Sequence, residues 1–178
     1  MLGRRLMALG AVLILCALGL MAYNHWDDRR AQREAARLLE ELKAAESGEE
    51  TLPLDGAEWL GWLRIPSLEL ELPVQAEWSY LALKTSPCRY AGTPEAGLVI
   101  AAHNYEQHFA RLSLLTAGDA VESTDVSGAI HRYTVMQVET LAPTAVDEMT
   151  GGDWDLTLFT CTYSGQARVT VRCVKTAG

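Results

Sequence analysis

The fold of this chain is decided by one stretch, Leu156-Thr157-Leu158-Phe159-Thr160-Cys161-Thr162-Tyr163-Ser164-Gly165-Gln166-Ala167-Arg168-Val169-Thr170-Val171. Two runs rich in β-branched and apolar residues flank a short polar segment that contains a glycine, which predicts a β-hairpin. Cys161 ends the first predicted strand and Arg168 begins the second, so the hairpin should bring a thiol and a guanidinium to one end of the sheet. A neighbouring positive charge favours the thiolate, the nucleophilic form of cysteine. The alternative interpretation is a small buried cysteine that only packs.

A second stretch upstream favours the interpretation of Cys161 as a nucleophile. Leu98-Val99-Ile100-Ala101-Ala102-His103-Asn104-Tyr105 predicts a buried strand that ends on a histidine. A strand-terminal His and a strand-terminal Cys in one domain are the two parts that a thiol acyl-transfer enzyme needs.

Together these segments resemble the sortase family of cysteine transpeptidases. The matching features are Thr157-Leu158-Phe159-Thr160-Cys161, His103-Asn104, Arg168, and Gly61-Trp62-Leu63-Arg64-Ile65-Pro66 with Leu72-Pro73-Val74. The resemblance runs from about Trp59 to Val174, with these features in the family's order. It implies a mainly β fold, a closed eight-stranded barrel with short helices in the connections, and the many short predicted strands agree with this count.

The resemblance also implies the roles of the site residues and the partners. Cys161 would be the nucleophile, His103 the acid and base, and Arg168 a donor to the substrate or the oxyanion, with the backbone N–H after Cys161 as a second donor. The residues predicted to bind substrate are Thr160, Asn104, Thr162 and Tyr163. The substrate would be the C-terminal sorting signal of a secreted protein in a Gram-positive bacterium. The acceptor would be an amine of a cell-wall precursor or a pilin lysine.

Within the family, Cys88-Arg89-Tyr90 and the surroundings of His103 look closest to class B-like members. Asp55-Gly56 is followed by Ala57 and not by an aromatic residue that would plug the site, so anchoring of surface proteins is favoured over pilin polymerisation. Two other interpretations stay open. One is a different extracytoplasmic Cys/His thiol hydrolase, and the other is a non-catalytic membrane-anchored β-domain.

Some residues compete with the predicted site. Arg172 lies on the same face of its strand as Arg168 but farther from the cysteine, which favours a surface salt bridge for Arg172. His103 and His108, with Cys161, are a conceivable zinc set, but no second Cys or carboxylate follows at a recognisable ligand spacing. His25 and His131 are predicted to be solvated or structural. We predict no metal and no cofactor.

Composition limits the remaining possibilities. The chain has 178 residues and a formal net charge of -8, which argues against nucleic acid as a partner. Its four cysteines, at positions 16, 88, 161 and 173, show no C-x-x-C spacing. A disulfide between Cys88 and Cys173 is an open alternative, since both are predicted to lie outside the cytoplasm.

The N-terminal part predicts a membrane anchor. Arg4 and Arg5 precede an uncharged apolar run over 6–23, which is long enough to cross a bilayer as a helix, and no convincing cleavage site follows it. We therefore predict a cytoplasmic segment (1–5), a single-pass signal anchor (6–23), an amphipathic helix with a linker (24–56), and an extracytoplasmic catalytic domain (57–178). The amphipathic helix has Ala31, Ala35, Leu38, Leu39 and Leu42 at helical spacing, and we expect it to dock on the domain or to act as a spacer.

Overall fold

The N-terminal part of the protein is one continuous helix. The computed structural model describes residues 2–45 and 49–176, and α1 spans Leu2–Ala44. We predicted two helices here, but neither glycine nor proline lies between positions 20 and 30 to end the first one. Residues 46–48 of the predicted linker lie outside the described residues.

After α1 the described chain forms nine strands and one short helix. They are β1 (Leu52–Leu54), β2 (Ala57–Ile65), β3 (Leu70–Gln75), β4 (Cys88–Ala91), β5 (Leu98–Ala101), β6 (Ala120–Asp125), β7 (Ile130–Leu141), α2 (Val146–Thr150), β8 (Leu156–Cys161) and β9 (Arg168–Lys175). Single 3₁₀ turns lie at Pro66–Leu68, Ala82–Lys84 and Leu112–Leu114. The segment predicted as a loop at Cys88 is strand β4, and strand β1 lies within the predicted linker.

The strands form a closed barrel, as predicted. Their order is β1-β2-β3-β4-β5-β8-β9-β7-β6, and an additional pairing of β2 with β6 joins the two sides, so that eight strands close and β1 extends the rim. Gly61 lies at this closing seam with φ +136°, and a Cβ there would meet the Thr124 carbonyl oxygen at 1.9 Å. A glycine is therefore required where the barrel closes.

The barrel interior holds the main core. Alternate residues of the strands point inward, for example Leu98 and Ile100 of β5 and Leu156 and Leu158 of β8, all at most 2% exposed. The outward face of β5 and β8 is also covered, because Met149 of α2 packs there.

Helix α1 docks on the barrel with the stripe predicted from its periodicity. Ala31, Ala35, Leu38 and Leu42 are at most 2% exposed. Leu38 and Leu42 pack with Trp59 of β2. The docked stripe continues directly from the apolar part of the helix, so the orientation of the barrel is tied to that of α1.

Arg172 does not lie on the surface, in contrast to our prediction. It is 3% exposed, and its Nε donates to Glu139 at 2.8 Å. Its guanidinium also donates to the carbonyl oxygens of Glu148 and Met149 and to the Thr157 hydroxyl. The predicted salt bridge is present, with Glu139, but the predicted surface position is wrong because α2, only five residues long, covers this part of β9. Arg172 fixes α2 to the barrel.

Candidate active site

Three neighbouring strand ends bring the predicted catalytic residues to one rim of the barrel. β5 and β8 are parallel, and their last register pair is Ala101 with Phe159. Two residues beyond this pair lie His103 on one side and Cys161 on the other. Cys161 in turn pairs with Arg168 across the β8–β9 hairpin. Since neighbouring strands are about 4.8 Å apart, the backbone positions of His103, Cys161 and Arg168 lie side by side at this rim.

The rim opens into a cavity of about 790 Å³. Cys161 and His103 are exposed at its wall. The residues predicted to bind substrate also line it: Thr160, Asn104, Thr162 and Tyr163. Arg168 is half-buried beside this cavity and does not line it. Six of the seven predicted site residues thus line one cavity, and their roles stay predictions.

Thr160 links the two strand ends. Its side chain is buried, and its hydroxyl donates to the Ala102 carbonyl oxygen at 2.9 Å. The residues that follow Thr160 and Ala102 are Cys161 and His103. The hydrogen bond therefore fixes the backbone positions from which the thiol and the imidazole project.

The loop between β8 and β9 is a tight turn. The Thr162 N–H donates to the Ala167 carbonyl oxygen at 2.9 Å, and the Ala167 N–H donates to the Thr162 hydroxyl at 3.1 Å. The N–H after Cys161 is therefore already engaged, and our prediction that it serves as a second oxyanion donor is wrong. One guanidinium nitrogen of Arg168 donates to the carbonyl oxygens of Gly165 and Ala167, each at 3.1 Å. These bonds hold Arg168 against the turn.

His103 is exposed at the cavity, but neighbouring protein atoms partly desolvate its imidazole and disfavour the charged form. Burial lowers the pKa of the His103 imidazole below its usual value, and the positive charge of Lys84 acts in the same direction. The negative charge of Asp27 opposes both. The ring stacks on Tyr105 with a centroid distance of 4.2 Å and an interplanar angle of 9°.

Helix α1 contributes residues that our sequence analysis did not assign to the site. Asn24, His25, Asp27 and Asp28 line the same cavity as Cys161. Asp27 lies four residues before Ala31, so the docking stripe pointed to it, but its contact with a loop 78 residues away has no signal in the sequence. His25, predicted to be solvated or structural, is exposed at the cavity.

His108 is fully buried behind the site, and burial lowers its pKa to about 4. No group of three or more His, Cys, Asp or Glu side chains is arranged to hold a metal ion within residues 2–45 and 49–176. Cys88 and Cys173 are both free and buried, so the structure does not contain the alternative disulfide. Burial raises the pKa of each of these thiols to about 12.

Comparison with known proteins gives a family for this site. A sortase domain profile matches residues 63–176. No curated protein sequence matches the chain significantly.

Solved structures share the fold. Sortase C1 from Streptococcus agalactiae is 23% identical with a TM-score of 0.63, covering 71% of this chain and 72% of that one. Clostridium perfringens sortase C, solved with the C-terminal cell wall sorting motif, is 24% identical with a TM-score of 0.61, covering 85% and 89%. Sortase D5 of the same organism is 19% identical with a TM-score of 0.58, covering 65% and 78%.

The matched profile covers more than half of the chain and includes β8, β9 and the His103 loop. The fold of the chain is similar to the folds of these solved sortases. The prediction of a class B-like subclass stays a prediction. The chain belongs to the sortase family of cysteine transpeptidases.

Proposed function

We propose that the protein is a membrane-anchored transpeptidase that cleaves the C-terminal sorting motif of secreted proteins and transfers them to a cell-wall amine. The observation that carries the proposal is the row of His103, Cys161 and Arg168 across three adjacent strand ends. The proposal gives each of these residues one role in acyl transfer.

In the first half-reaction the Cys161 thiolate attacks the carbonyl carbon of the scissile peptide bond. The new carbon–sulfur bond forms a tetrahedral oxyanion, and Arg168 donates hydrogen bonds to it or to the adjacent substrate backbone. The carbon–nitrogen bond then breaks, and the His103 imidazolium gives its proton to the departing amine. A thioester on Cys161 and a neutral His103 remain.

In the second half-reaction an amine attacks the thioester carbon. His103 takes the proton that the amine loses, the carbon–sulfur bond breaks, and the Cys161 thiolate is regenerated. The acceptor is an amino group of a cell-wall precursor. A pilin lysine is the alternative acceptor.

The substrate groove is built from the residues around the thiol. Tyr163 is 98% exposed beside Cys161 and offers an apolar face to a peptide. Thr162 and Asn104 line the same cavity, and the buried Thr160 hydroxyl supports the groove from below.

The apolar helix supports a reaction at the outer face of the cytoplasmic membrane. Helix α1 contains one segment that is long and apolar enough to cross a membrane, and that segment is not buried against the rest of the protein. The Arg pair at positions 4 and 5 favours a cytoplasmic N-terminus, and the barrel then lies outside the cell.

A panel of quenched fluorescent peptides that carry different sorting motifs tests the proposal. The full chain in detergent should cleave at least one peptide and, with an added amine, should join that amine to the new carboxyl end. Cys161→Ala should remove both activities and keep the fold. Cleavage of the same peptide by folded Cys161→Ala protein would reject the proposal, and so would the absence of amine incorporation by the wild type.

A further inference from the structure

Helix α1 is bound to the loop that carries His103 by two hydrogen bonds. The Tyr105 hydroxyl donates to the Asp27 carboxylate at 2.7 Å. The Glu106 N–H donates to the Asp28 carboxylate at 3.1 Å. Asp27 lies one turn before the docked residue Ala31, on the same face of the helix. The side of α1 that packs on the barrel therefore also contacts the active-site loop.

Tyr105 is the link between this helix and the histidine. One face of its ring lies nearly parallel to the His103 imidazole, at 4.2 Å. Its ring also meets the buried His108 in an edge contact at 5.3 Å. With the hydroxyl bound to Asp27, Tyr105 is held on three sides and cannot rotate without losing one of these contacts.

His103 has no other orienting partner in the described part of the chain. No side chain there forms a hydrogen bond with its imidazole, and the adjacent Asn104 forms none with it either. A base that serves a nucleophile needs a third group to hold its ring in the productive direction. In this protein the ring of Tyr105 is the group in contact with the imidazole.

We propose that Asp27 is a positioning residue for His103, acting through Tyr105, so that the membrane helix completes the active site. This inference rests on the acyl-transfer role proposed for His103. It gives α1 a part in the reaction in addition to anchoring. Movement of α1 relative to the barrel would then change the rate of acyl transfer, because it would change the orientation of the His103 imidazole.

The charges around His103 make the inference testable by titration. The titratable groups that line the cavity with His103 are His25, Asp27 and Asp28 of α1, Tyr105 and Glu106 of its own loop, and Cys161 and Tyr163 of the hairpin. Lys84 of the 3₁₀ turn acts on its charge, and His108 lies behind Tyr105. The Asp27 charge raises the pKa of His103 against the effects of burial and Lys84. Removing this charge should therefore lower the pKa of His103.

The experiment uses the full chain in lipid nanodiscs with a peptide that the wild type cleaves. The variants are Asp27→Asn, Tyr105→Phe and the two combined. Tyr105→Phe keeps the ring and removes the hydroxyl. Glu40→Gln is the matched control, because it removes the same charge from an exposed position of the same helix.

We expect each single variant to lower kcat/KM roughly tenfold, since a small error in the position of a catalytic group has effects of this order. The double variant should be no worse than Tyr105→Phe alone, because Asp27→Asn weakens the same hydrogen bond that Tyr105→Phe removes. In Asp27→Asn the part of the pH dependence of kcat/KM that reports the titration of His103 should move to lower pH. Glu40→Gln should match the wild type in both measurements.

Several results would overturn the inference. An unchanged or increased kcat/KM in Asp27→Asn would show that α1 does not support the site. The contact would be purely structural if the losses of kcat/KM in the two single variants multiplied in the double variant. In that case the pH dependence of kcat/KM would be unchanged and the unfolding temperature would be lower.

An NMR titration of His103 separates this inference from the proposed function. The pKa of the imidazole should be lower in Asp27→Asn than in Glu40→Gln, whether or not a cleavable peptide is found. A wild type that cleaves no peptide rejects the proposed function. An equal pKa of His103 in the two variants rejects the role of Asp27.

Discussion

Replacing Arg172 and Arg168 one at a time should separate the stability of the barrel from its chemistry. The two residues lie four positions apart on β9, and Arg→Met keeps an unbranched side chain of similar length in each case. We expect Arg172→Met to lower stability and Arg168→Met to lower activity with the fold intact.

The expected loss of stability follows from the contacts of Arg172. Its removal leaves the Glu139 carboxylate, the carbonyl oxygens of Glu148 and Met149, and the Thr157 hydroxyl without their donor. Breaking a buried ion pair by removing one partner costs about 3–5 kcal/mol, and the lower end of this range, about 3 kcal/mol, is expected because Glu139 is 27% exposed and keeps a hydrogen bond from Gln137. For a domain of this size that corresponds to a decrease in Tm of roughly 10–20 °C.

The expected loss for Arg168 is catalytic. In the resting structure its side chain is half-buried and bonds only to carbonyl oxygens of the adjacent turn, so Arg168→Met should change stability by about 0.5 kcal/mol or less. Removal of an oxyanion donor lowers the rate by about 10²- to 10³-fold. The kcat/KM of Arg168→Met should therefore fall by about 10²- to 10³-fold.

The assay combines thermal unfolding, followed by tryptophan fluorescence, with peptide cleavage by the same preparations of the full chain. An Arg172→Met variant with the wild-type Tm would refute the account of the buried network. An Arg168→Met variant that retains full activity, or one that unfolds as early as Arg172→Met, would refute the division of roles between the two arginines.

Three further predictions concern the seam, the buried histidine and the thiols. Gly61→Ala should destabilise the barrel by about 3 kcal/mol or more, because the new Cβ meets the Thr124 carbonyl oxygen in a backbone conformation that favours glycine. A Tm within about 3 °C of the wild-type value would contradict this. Burial lowers the pKa of His108 from 6.5 to about 4. Its neutral form therefore stabilises the folded protein fully above pH 6.5, and this stabilisation is lost as the pH falls toward 4. His108→Phe should thus weaken the acid destabilisation between these values by up to about 3 kcal/mol, and equal slopes of Tm against pH in both proteins would exclude it. In a Cys16→Ser background iodoacetamide at pH 8 should modify Cys161 and spare Cys88 and Cys173, whose pKa values are raised to about 12 by burial; modification of all three thiols at similar rates in folded protein would show that the two buried thiols are accessible.

The sequence is most informative where local patterns coincide with the fold. The hairpin was predictable because β-branched runs flank a turn with Gly165, which adopts φ +73°. The buried run that ends on His103 is strand β5, and its parallel pairing with β8 explains why two residues 58 positions apart share one rim. The resemblance to the sortase family predicts that these two segments contribute to one site.

Other features depend on long-range contacts that no local pattern encodes. Strand β4 is only four residues long and exists through its pairing with β3 and β5. The burial of Arg172 depends on α2, which is too short to show a helical period. The contact of Asp27 with Tyr105 requires α1 to continue without a break from its apolar N-terminal part and to dock on the barrel at one angle. In each case the deciding interaction joins segments far apart in the chain.

The most direct test of the central claim is the mass of Cys161 during turnover. The full chain is mixed with a cleaved sorting peptide, quenched in acid without an amine acceptor, and digested for mass spectrometry. The account predicts that the peptide containing Cys161 gains the mass of the acyl fragment through a thioester that hydroxylamine removes, while Cys88 and Cys173 stay unmodified. Turnover of the peptide with no acyl group on Cys161, or with the acyl group on another residue, would contradict it.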